Sequence, residues 1–180
     1  VNGCGRMFGM TVDPNSLALV LHPDPILRKK TEIIEPTDET VLAVANQMVE
    51  IMHAQNGVGL AAPQVGLPWR LFVTRDPEND EAAVAWINPI LKVTNEEIIS
   101  EEEGCLSLPE IRGEVRRPIG IQISGHGLDG KHNTAQSDSF IARIWQHEND
   151  HLDGILIIDK MSTMGKLVNR RLLRNLERGR

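Results

Sequence analysis

The sequence predicts an α+β domain in which mostly antiparallel sheets pack around one central helix, with a further helix towards each end of the chain. Three observations support this prediction. Segments with the patterns of strands follow one another between residues 70 and 124, with no helical pattern among them. One helical pattern precedes these strands, and two follow them. Strands in series flanked by helices are typical of an α+β fold, whereas strict alternation would indicate a parallel sheet.

Length and composition fit one compact domain. The chain has 180 residues, of which 41% are hydrophobic and 24% are charged, as in an ordinary globular protein. No apolar run approaches the length that spans a bilayer, and residues 1–10 lack the apolar core of a secretory signal. We expect a flexible lead at residues 1–15 and a single domain at residues 16–180. The net charge of −6 argues against nucleic-acid binding by the whole surface.

The two cysteines, Cys4 and Cys105, are too few for a disulfide framework. Cys4 lies in the expected lead and Cys105 in a dense motif, so we do not expect them to pair. A single cysteine in a motif is more typical of a metal ligand or a nucleophile in a reducing compartment. This pattern favours the cytoplasm or an organelle matrix.

The N-terminal part predicts a short strand, an irregular segment and the first helix. Residues 16–26 begin with an apolar run typical of a strand, which two prolines then interrupt. Residues 27–36 are charged, and we expect them to be irregular. Apolar side chains at helical spacing predict a helix over residues 37–54, capped by Thr37 or Asp38. Its buried stripe would consist of Val41, Val44, Ala45, Met48, Ile51 and Met52.

The strand region and the C-terminal part complete the expected architecture. Residues 70–74, 84–90, 91–99 and 115–124 have the patterns of strands, with an exposed turn at residues 76–81. Asn88 and Pro89 mark an edge or a break. Residues 127–131 form a hairpin-type turn. In the last helix, a stripe of Val168, Leu172 and Leu176 would pack on the domain and leave a basic face exposed.

The central helix carries the pattern HExxH, at residues 147–151. We expect it to be capped by Ser137, Asp138 or Ser139 and to stop near Gly154. His147 and His151 are four residues apart, so they lie one turn apart on one helix face. Two such imidazoles can bind a divalent metal, and the carboxylate of Glu148 can move protons for a water molecule that the metal activates. The alternative is an ordinary helix with two surface histidines.

A catalytic metal needs three protein ligands and an open position. Cys105 is the best candidate for the third ligand because of its position in a Glu-Gly-Cys-Leu-Ser segment. A Cys-His-His set suits zinc or ferrous iron, and the sequence does not choose between them. The alternative third ligands are Glu103, Glu110, Asp153, His126 and His132.

Three separated segments together resemble the signature motifs of the peptide deformylases, in that family's order. They are GVGLAAPQ at Gly57–Gln64, EGCLS at Glu103–Ser107 and QHENDH at Gln146–His151, and the similarity extends from about Leu19 to Met161. The resemblance implies a metal-dependent hydrolase that removes the formyl group from the N-terminal formylmethionine of newly made bacterial or organellar polypeptides and releases formate. It implies ferrous iron as the native metal, with zinc, nickel or cobalt as substitutes.

The resemblance also implies roles for individual residues. The metal ligands fall on Cys105, His147 and His151, and the general base and acid falls on Glu148. The oxyanion donors fall on the Gln64 side chain and the backbone N–H of Leu106. Substrate binding falls on the backbone at Gly59 and Val58, and the methionine-side pocket on Val58, Phe140, Ile144, Glu103 and Arg112.

Two positions depart from the family's pattern. Asn149 stands where an apolar or aromatic residue is more usual, and it faces away from the metal side, so it should alter packing and not chemistry. Arg143 lies one turn before His147, where some relatives have an apolar residue. We expect it either near the pocket mouth or extended to water with its stem packed.

Other functions remain open at this point. An endopeptidase of the HExxH type would share the helix but not Cys105 as a ligand. A non-catalytic protein with a structural Cys-His-His site is the other alternative. The C-terminal segment from Lys166 to Arg180 contains six Lys or Arg residues against the single Glu177. Its basic face is either simply solvated or docks on ribosomal RNA, and no membrane or DNA partner is expected.

Overall fold

The computed structural model describes residues 12–76, 79 and 82–179. Most of the expected N-terminal lead, with Cys4, and much of the expected turn at residues 76–81 lie outside the described residues. The predicted α+β architecture is confirmed. One five-stranded antiparallel sheet has its strands in chain order, and its strands are β1 Gly59–Ala61, β2 Leu71–Arg75, β3 Ala83–Cys105, β4 Leu108–His126 and β5 His132–Ser137. The helices are α1 Glu39–Ala54, α2 Phe140–Leu152, α3 Ile157–Lys160, α4 Thr163–Val168 and α5 Arg170–Glu177.

The two main helices cover opposite faces of the sheet. Leu71 and Val73 of β2 pack in one cluster with α1, whereas Phe72, between them, packs in another with α2. This follows from the alternation of side chains along a strand. The predicted stripe of α1 is buried except for Ile51, which is half-buried, and Asp38 caps the helix through its side chain.

The hairpin of β3 and β4 dominates the sheet. Residues predicted as two strands form the single long strand β3, and Asn88 lies in a bulge of that strand with φ of 53°. The predicted break is therefore a local irregularity, since a bulge bends a strand without ending it. The hairpin turns at Leu106 and Ser107, so Cys105 stands at its closed end.

Two sequence predictions are wrong, and one strand was not predicted. Residues 16–26 form no strand; single-turn 3-10 helices lie at Pro14–Ser16 and Pro25–Arg28 instead. The backbone between these helices makes isolated hydrogen bonds, such as the one that Val20 N–H donates to Gln64 O. The last helix is two helices, α4 and α5, and Val168 of the predicted buried stripe is 74% exposed. β5 was not predicted, because His132–Ser137 is almost wholly polar.

Candidate active site

Three side chains from two distant parts of the fold converge at the closed end of the hairpin. Cys105 comes from the end of β3, and His147 and His151 come from α2. One ligand atom of each lies within 4.8 Å of the other two, and Cys105 Sγ is 3.3 Å from His151 Nε2. The helix brings the two imidazoles onto one face because they are four residues apart, and their ring centroids are 5.1 Å apart.

This donor set fits a divalent transition metal. A thiol and two imidazoles are ligands that zinc and ferrous iron both accept. Within the described ranges, it is the one group of three or more His, Cys, Asp or Glu side chains placed to share an ion. Of the alternative third ligands, His126 and His132 meet edge-to-face across β4 and β5, and Asp153 pairs with Arg70. Glu103 contacts the Nδ1 atom of His147 and is not a member of the donor group.

Glu148 lies beside the donor group and is buried, with 4% of its surface exposed. Its Oε2 has no hydrogen-bond partner within the described part of the chain. Burial is the largest cause that raises the pKa of Glu148, to about 7. A carboxyl group with a pKa near neutrality can both accept and return a proton.

The backbone of β1 runs directly against Glu148. A Cβ placed on Gly59 would overlap the Glu148 carboxyl group, with its Cγ only 2.9 Å away. The absence of a side chain at Gly59 is what lets the strand and the carboxylate share this space.

Glu103 is held in place by two arginines and one of the histidines. Its Oε1 accepts hydrogen bonds from Arg117 Nε at 2.5 Å and Arg143 Nη1 at 2.7 Å. Its Oε2 accepts from Arg117 Nη2 at 2.8 Å and lies 3.0 Å from His147 Nδ1. Burial opposes the ionised form, but the hydrogen bonds from Arg117 and His147 outweigh it and hold the pKa of Glu103 well below its usual range. Glu103 thus orients the His147 imidazole through its Nδ1 atom.

Arg117 was missed by sequence reasoning. It is 2% exposed, and its Nη1 donates to Asp150 Oδ2 at 2.8 Å. Arg117 follows Val115 by two residues in β4, so strand alternation directs both to the interior. That alternation was the available signal, but a buried arginine is rare enough that composition alone favours the surface.

Gln64 and Leu106 flank the donor group. Gln64 is 2% exposed; its Oε1 accepts from Ala61 N–H at 2.9 Å, which leaves the amide nitrogen to face the hairpin tip. Nε2 lies 3.2 Å from Ser107 Oγ and 3.5 Å from Cys105 Sγ. The backbone N–H of Leu106 has no acceptor within the described part of the chain. Two hydrogen-bond donors are thus placed next to the Cys-His-His group.

Comparison with known proteins agrees with this geometry. The family model described as polypeptide deformylase matches residues 16–167. The peptide deformylase of Agrobacterium fabrum is 40% identical over 158 residues, which are 86% of this chain and 90% of that protein. The chain belongs to the polypeptide deformylase family.

Two further relatives have the same family name. The peptide deformylase of Borreliella burgdorferi is 43% identical over 143 residues, which are 79% of this chain and 86% of that protein. The crystal structure of a plant peptide deformylase superposes with a TM-score of 0.85 at 35% identity and covers 91% of this chain and 90% of that chain. As a deformylase, the protein is a hydrolase that removes the N-formyl group from the N-terminal formylmethionine of newly made polypeptides and releases formate.

The predicted substrate-binding residues of the deformylase do not all line one cavity. Phe140 is 60% exposed and lines a cavity of about 260 Å³ with Ile99, Glu101 and Arg143. Val58 is 44% exposed and immediately precedes β1. Ile144 is buried against the sheet, and Arg112 lies beside Gly104 on the hairpin. The carboxylate of Glu103 is taken up by its arginine partners.

Arg143 and Asn149, the two departures from the family's pattern, both make hydrogen bonds to the strand region. Of the two alternatives for Arg143, extension of its head to water is wrong, because the whole residue is 5% exposed and its guanidinium is bonded inside the protein. Arg143 does line the cavity beside Phe140. Asn149 accepts a hydrogen bond from Arg70 Nη2 at 3.3 Å and therefore ties α2 to the start of β2. None of the helices in the described ranges has both the length and the apolar character needed to cross a bilayer.

Proposed function

We propose that this deformylase holds one divalent metal ion through Cys105, His147 and His151 and uses Glu148 as its proton-transfer group. The observation that carries the proposal is the convergence of the Cys105 thiol with two imidazoles that lie about 42 to 46 residues later in the chain. Three ligands leave a position for water, as a catalytic site requires. When bound, the metal acts as a Lewis acid that lowers the pKa of water towards neutrality.

The side chains of this chain then have distinct tasks. Glu148 accepts a proton from the attacking water and returns it to the amine that leaves. Gln64 Nε2–H and Leu106 N–H donate hydrogen bonds to the formyl oxygen as that oxygen gains negative charge. The reaction breaks the formamide C–N bond, and formate and a free α-amine are the products.

The peptide substrate binds along β1. This strand is at one edge of the sheet, and an edge strand can pair with an extended peptide. Val58 and Gly59 bring that edge next to Glu148. Phe140, Ile144, Glu103 and Arg112 complete the proposed methionine side, with Phe140 at the cavity.

Ferrous iron is the proposed native ion, with zinc, nickel and cobalt as substitutes. The mixed sulfur and nitrogen donor set is compatible with all four, because such sites bind first-row divalent metals generally and the choice among them depends on geometry and metal availability. The measurement is the metal content of anaerobically purified protein, with turnover before and after chelation. One iron per chain, lost with the activity and restored by ferrous salt, is the expected result.

Substrate choice separates this function from its alternatives. We expect turnover of formyl-Met-Ala-Ser and none of casein, whereas an HExxH endopeptidase would cleave casein. A structural metal site would need a fourth protein ligand, and the described residues place three donors in the group. Metal-loaded protein that binds one ion and leaves formyl-Met-Ala-Ser intact would overturn the proposal.

A second proposal concerns the place where the enzyme encounters its substrate. We propose that α5 docks on ribosomal RNA through Arg170, Arg171 and Arg174, all of which are exposed. On the other side of the helix, Leu172 and Leu176 pack against a cluster that includes Leu108, Ile111 and Val115 of β4, so the basic face is turned outward. The location that suits this role is a bacterial cytoplasm or an organelle matrix, in keeping with the bacterial relatives.

A further inference from the structure

The Arg143 side chain joins the metal helix to both strands of the long hairpin. Its Nη1 donates to Glu103 Oε1 at 2.7 Å and to Val115 O at 3.0 Å. Its Nη2 donates to Ile99 O at 3.1 Å. Ile99 and Glu103 belong to β3 and Val115 to β4. One side chain of α2 thus fixes three points on the hairpin that carries Cys105 at its tip.

Arg143 and His147 are also bound to the same carboxylate. They are four residues apart, so they lie one turn apart on the face of α2 that looks at the hairpin. Arg143 donates a hydrogen bond to Glu103 Oε1, and His147 Nδ1 contacts Oε2. The carboxylate therefore bridges two residues of α2 that are one turn apart, so the helix itself sets the orientation of the carboxylate relative to the imidazole.

The carboxylate of Glu103 has two donors on each oxygen. Arg117 binds both oxygens, but without Arg143 it would leave Oε1 with a single donor. Arg143 supplies the fourth hydrogen bond and a second positive charge. Charge-assisted bonds of this kind are short and directional, so the acceptor that faces His147 Nδ1 is held in one orientation.

We propose that Arg143 is a positioning residue for the metal site, acting through Glu103 on the orientation of His147. The inference rests on the proposed function, because it concerns the direction in which His147 presents Nε2 to the metal. A carboxylate that accepts the Nδ1–H of a ligating histidine fixes the ring's tautomer and its angle. Arg143 fixes that carboxylate.

The buried guanidinium of Arg143 is bound by groups of the protein, although the residue also lines the cavity beside Phe140. Both of its Nη atoms are bonded within the protein. Its Nε lies 2.8 Å from Glu101 Oε2, at an angle that makes no hydrogen bond. The side chain of Glu101 is half exposed, so this carboxylate balances the charge of Arg143 at the protein surface. Glu103 binds the guanidinium in the interior.

The test measures metal affinity, not turnover. The dissociation constant for Co²⁺ is determined by competition with a chromophoric chelator, on apoprotein whose folding is checked by circular dichroism. Arg143→Met should weaken Co²⁺ binding on the order of 10-fold, as expected when the group behind a ligating histidine is disturbed. Arg143→Lys should weaken it less, because a lysine keeps the charge but not the forked geometry. Arg116→Met, at the exposed arginine next to Arg117, is the matched control and should bind Co²⁺ as the parent does.

A double variant separates positioning from general packing. Because Arg143 acts through Glu103, Arg143→Met should add no further loss of Co²⁺ affinity in a Glu103→Gln background. In the zinc-bound parent, the His147 Nδ1–H proton should give a downfield NMR signal, and this signal should move upfield in both Arg143 variants.

Parent-like Co²⁺ affinity in folded Arg143→Met, or losses that simply add in the double variant, would overturn the inference. Should Arg143→Met not fold, the same comparisons with Arg143→Lys decide. A parent protein that fails to bind Co²⁺ at all would instead overturn the proposed function, so the two failures are distinguishable.

Discussion

The carboxyl group of Glu148 occupies the space that a side chain at residue 59 would fill, since a Cβ on Gly59 would overlap it. The strand proposed to bind the peptide and the group proposed to transfer the proton are therefore in direct contact. Any side chain at position 59 must displace one of them.

Gly59→Ala should lower kcat/KM for formyl-Met-Ala-Ser by about 100-fold, because a displacement of roughly 1 Å in a reacting group can cost that much. Metal content should stay at the parent level, since the three atoms nearest to the added methyl all belong to Glu148 and not to a metal ligand. Gly165→Ala is the control: its Cβ would meet its nearest neighbour at 3.4 Å, in α4 and away from the site. Parent-like turnover in Gly59→Ala would contradict the close packing described here.

Glu148→Gln should remove most of the turnover, by about 100- to 10,000-fold, which is the usual contribution of a positioned proton-transfer group. The amide has nearly the same shape but cannot accept the water proton. Metal content, measured by mass spectrometry on the same samples, should not change. Glu96→Gln, at an exposed glutamate on β3, controls for the loss of one negative charge. If Glu148→Gln turned over at the parent rate, another group would have to carry the proton.

The raised pKa of Glu148 also predicts how the metal-free protein responds to pH. Its folded-state pKa of about 7 lies above the usual value of 4.5. Between these values the native state binds more protons than the unfolded state, so stability falls as pH rises from 4.5 through 7. The ionised, buried carboxylate therefore destabilises the apoprotein above neutral pH.

Apoprotein carrying Glu148→Gln should consequently be more stable than parent apoprotein at pH 8, by up to about 3 kcal/mol for a shift of this size. At pH 4 the difference should be small, because the parent carboxyl is then mostly neutral in both states. Urea unfolding at both pH values is the measurement. An equal difference at pH 4 and pH 8 would show that it comes from packing and not from ionisation.

Reversing the charges of Arg170, Arg171 and Arg174 to Glu should abolish salt-sensitive binding to ribosomes, because phosphate contacts supply the salt dependence. Turnover of formyl-Met-Ala-Ser should remain, since these side chains lie on the exposed face of α5. Reversal of Lys29, Lys30 and Lys92, which are outside α5 and not buried, controls for net charge. Co-sedimentation over a salt series measures the effect, and unchanged binding would end the docking proposal.

The sequence predicted the parts of the site that depend on local spacing. His147, Glu148 and His151 follow from helix geometry alone, and Cys105 followed from the motif around it. Gln64 followed from the resemblance of the Gly57–Gln64 segment to a family motif, and it is buried beside Cys105. Each of these inferences needed only a few neighbouring residues.

The features that the sequence did not predict, or predicted wrongly, depend on distant partners. Arg143 and Arg117 are buried because Glu103 lies between them, and no local pattern reports a carboxylate 14 or 40 positions away. β5 lacks an apolar face, so only its pairing with β4 makes it a strand. Val168 is exposed because the chain is redirected at Asn169, whose side chain donates to Arg112 O at 2.7 Å.

The hairpin tip and α2 supply donors that are separated by 46 positions between Cys105 and His151. An ion shared by them acts as a removable cross-link across a long loop, and closing such a loop restricts the unfolded chain as well as the native tip. Metal starvation would thus do more than silence the enzyme. It would loosen the tip, expose the thiol to oxidants and open the hairpin to proteases.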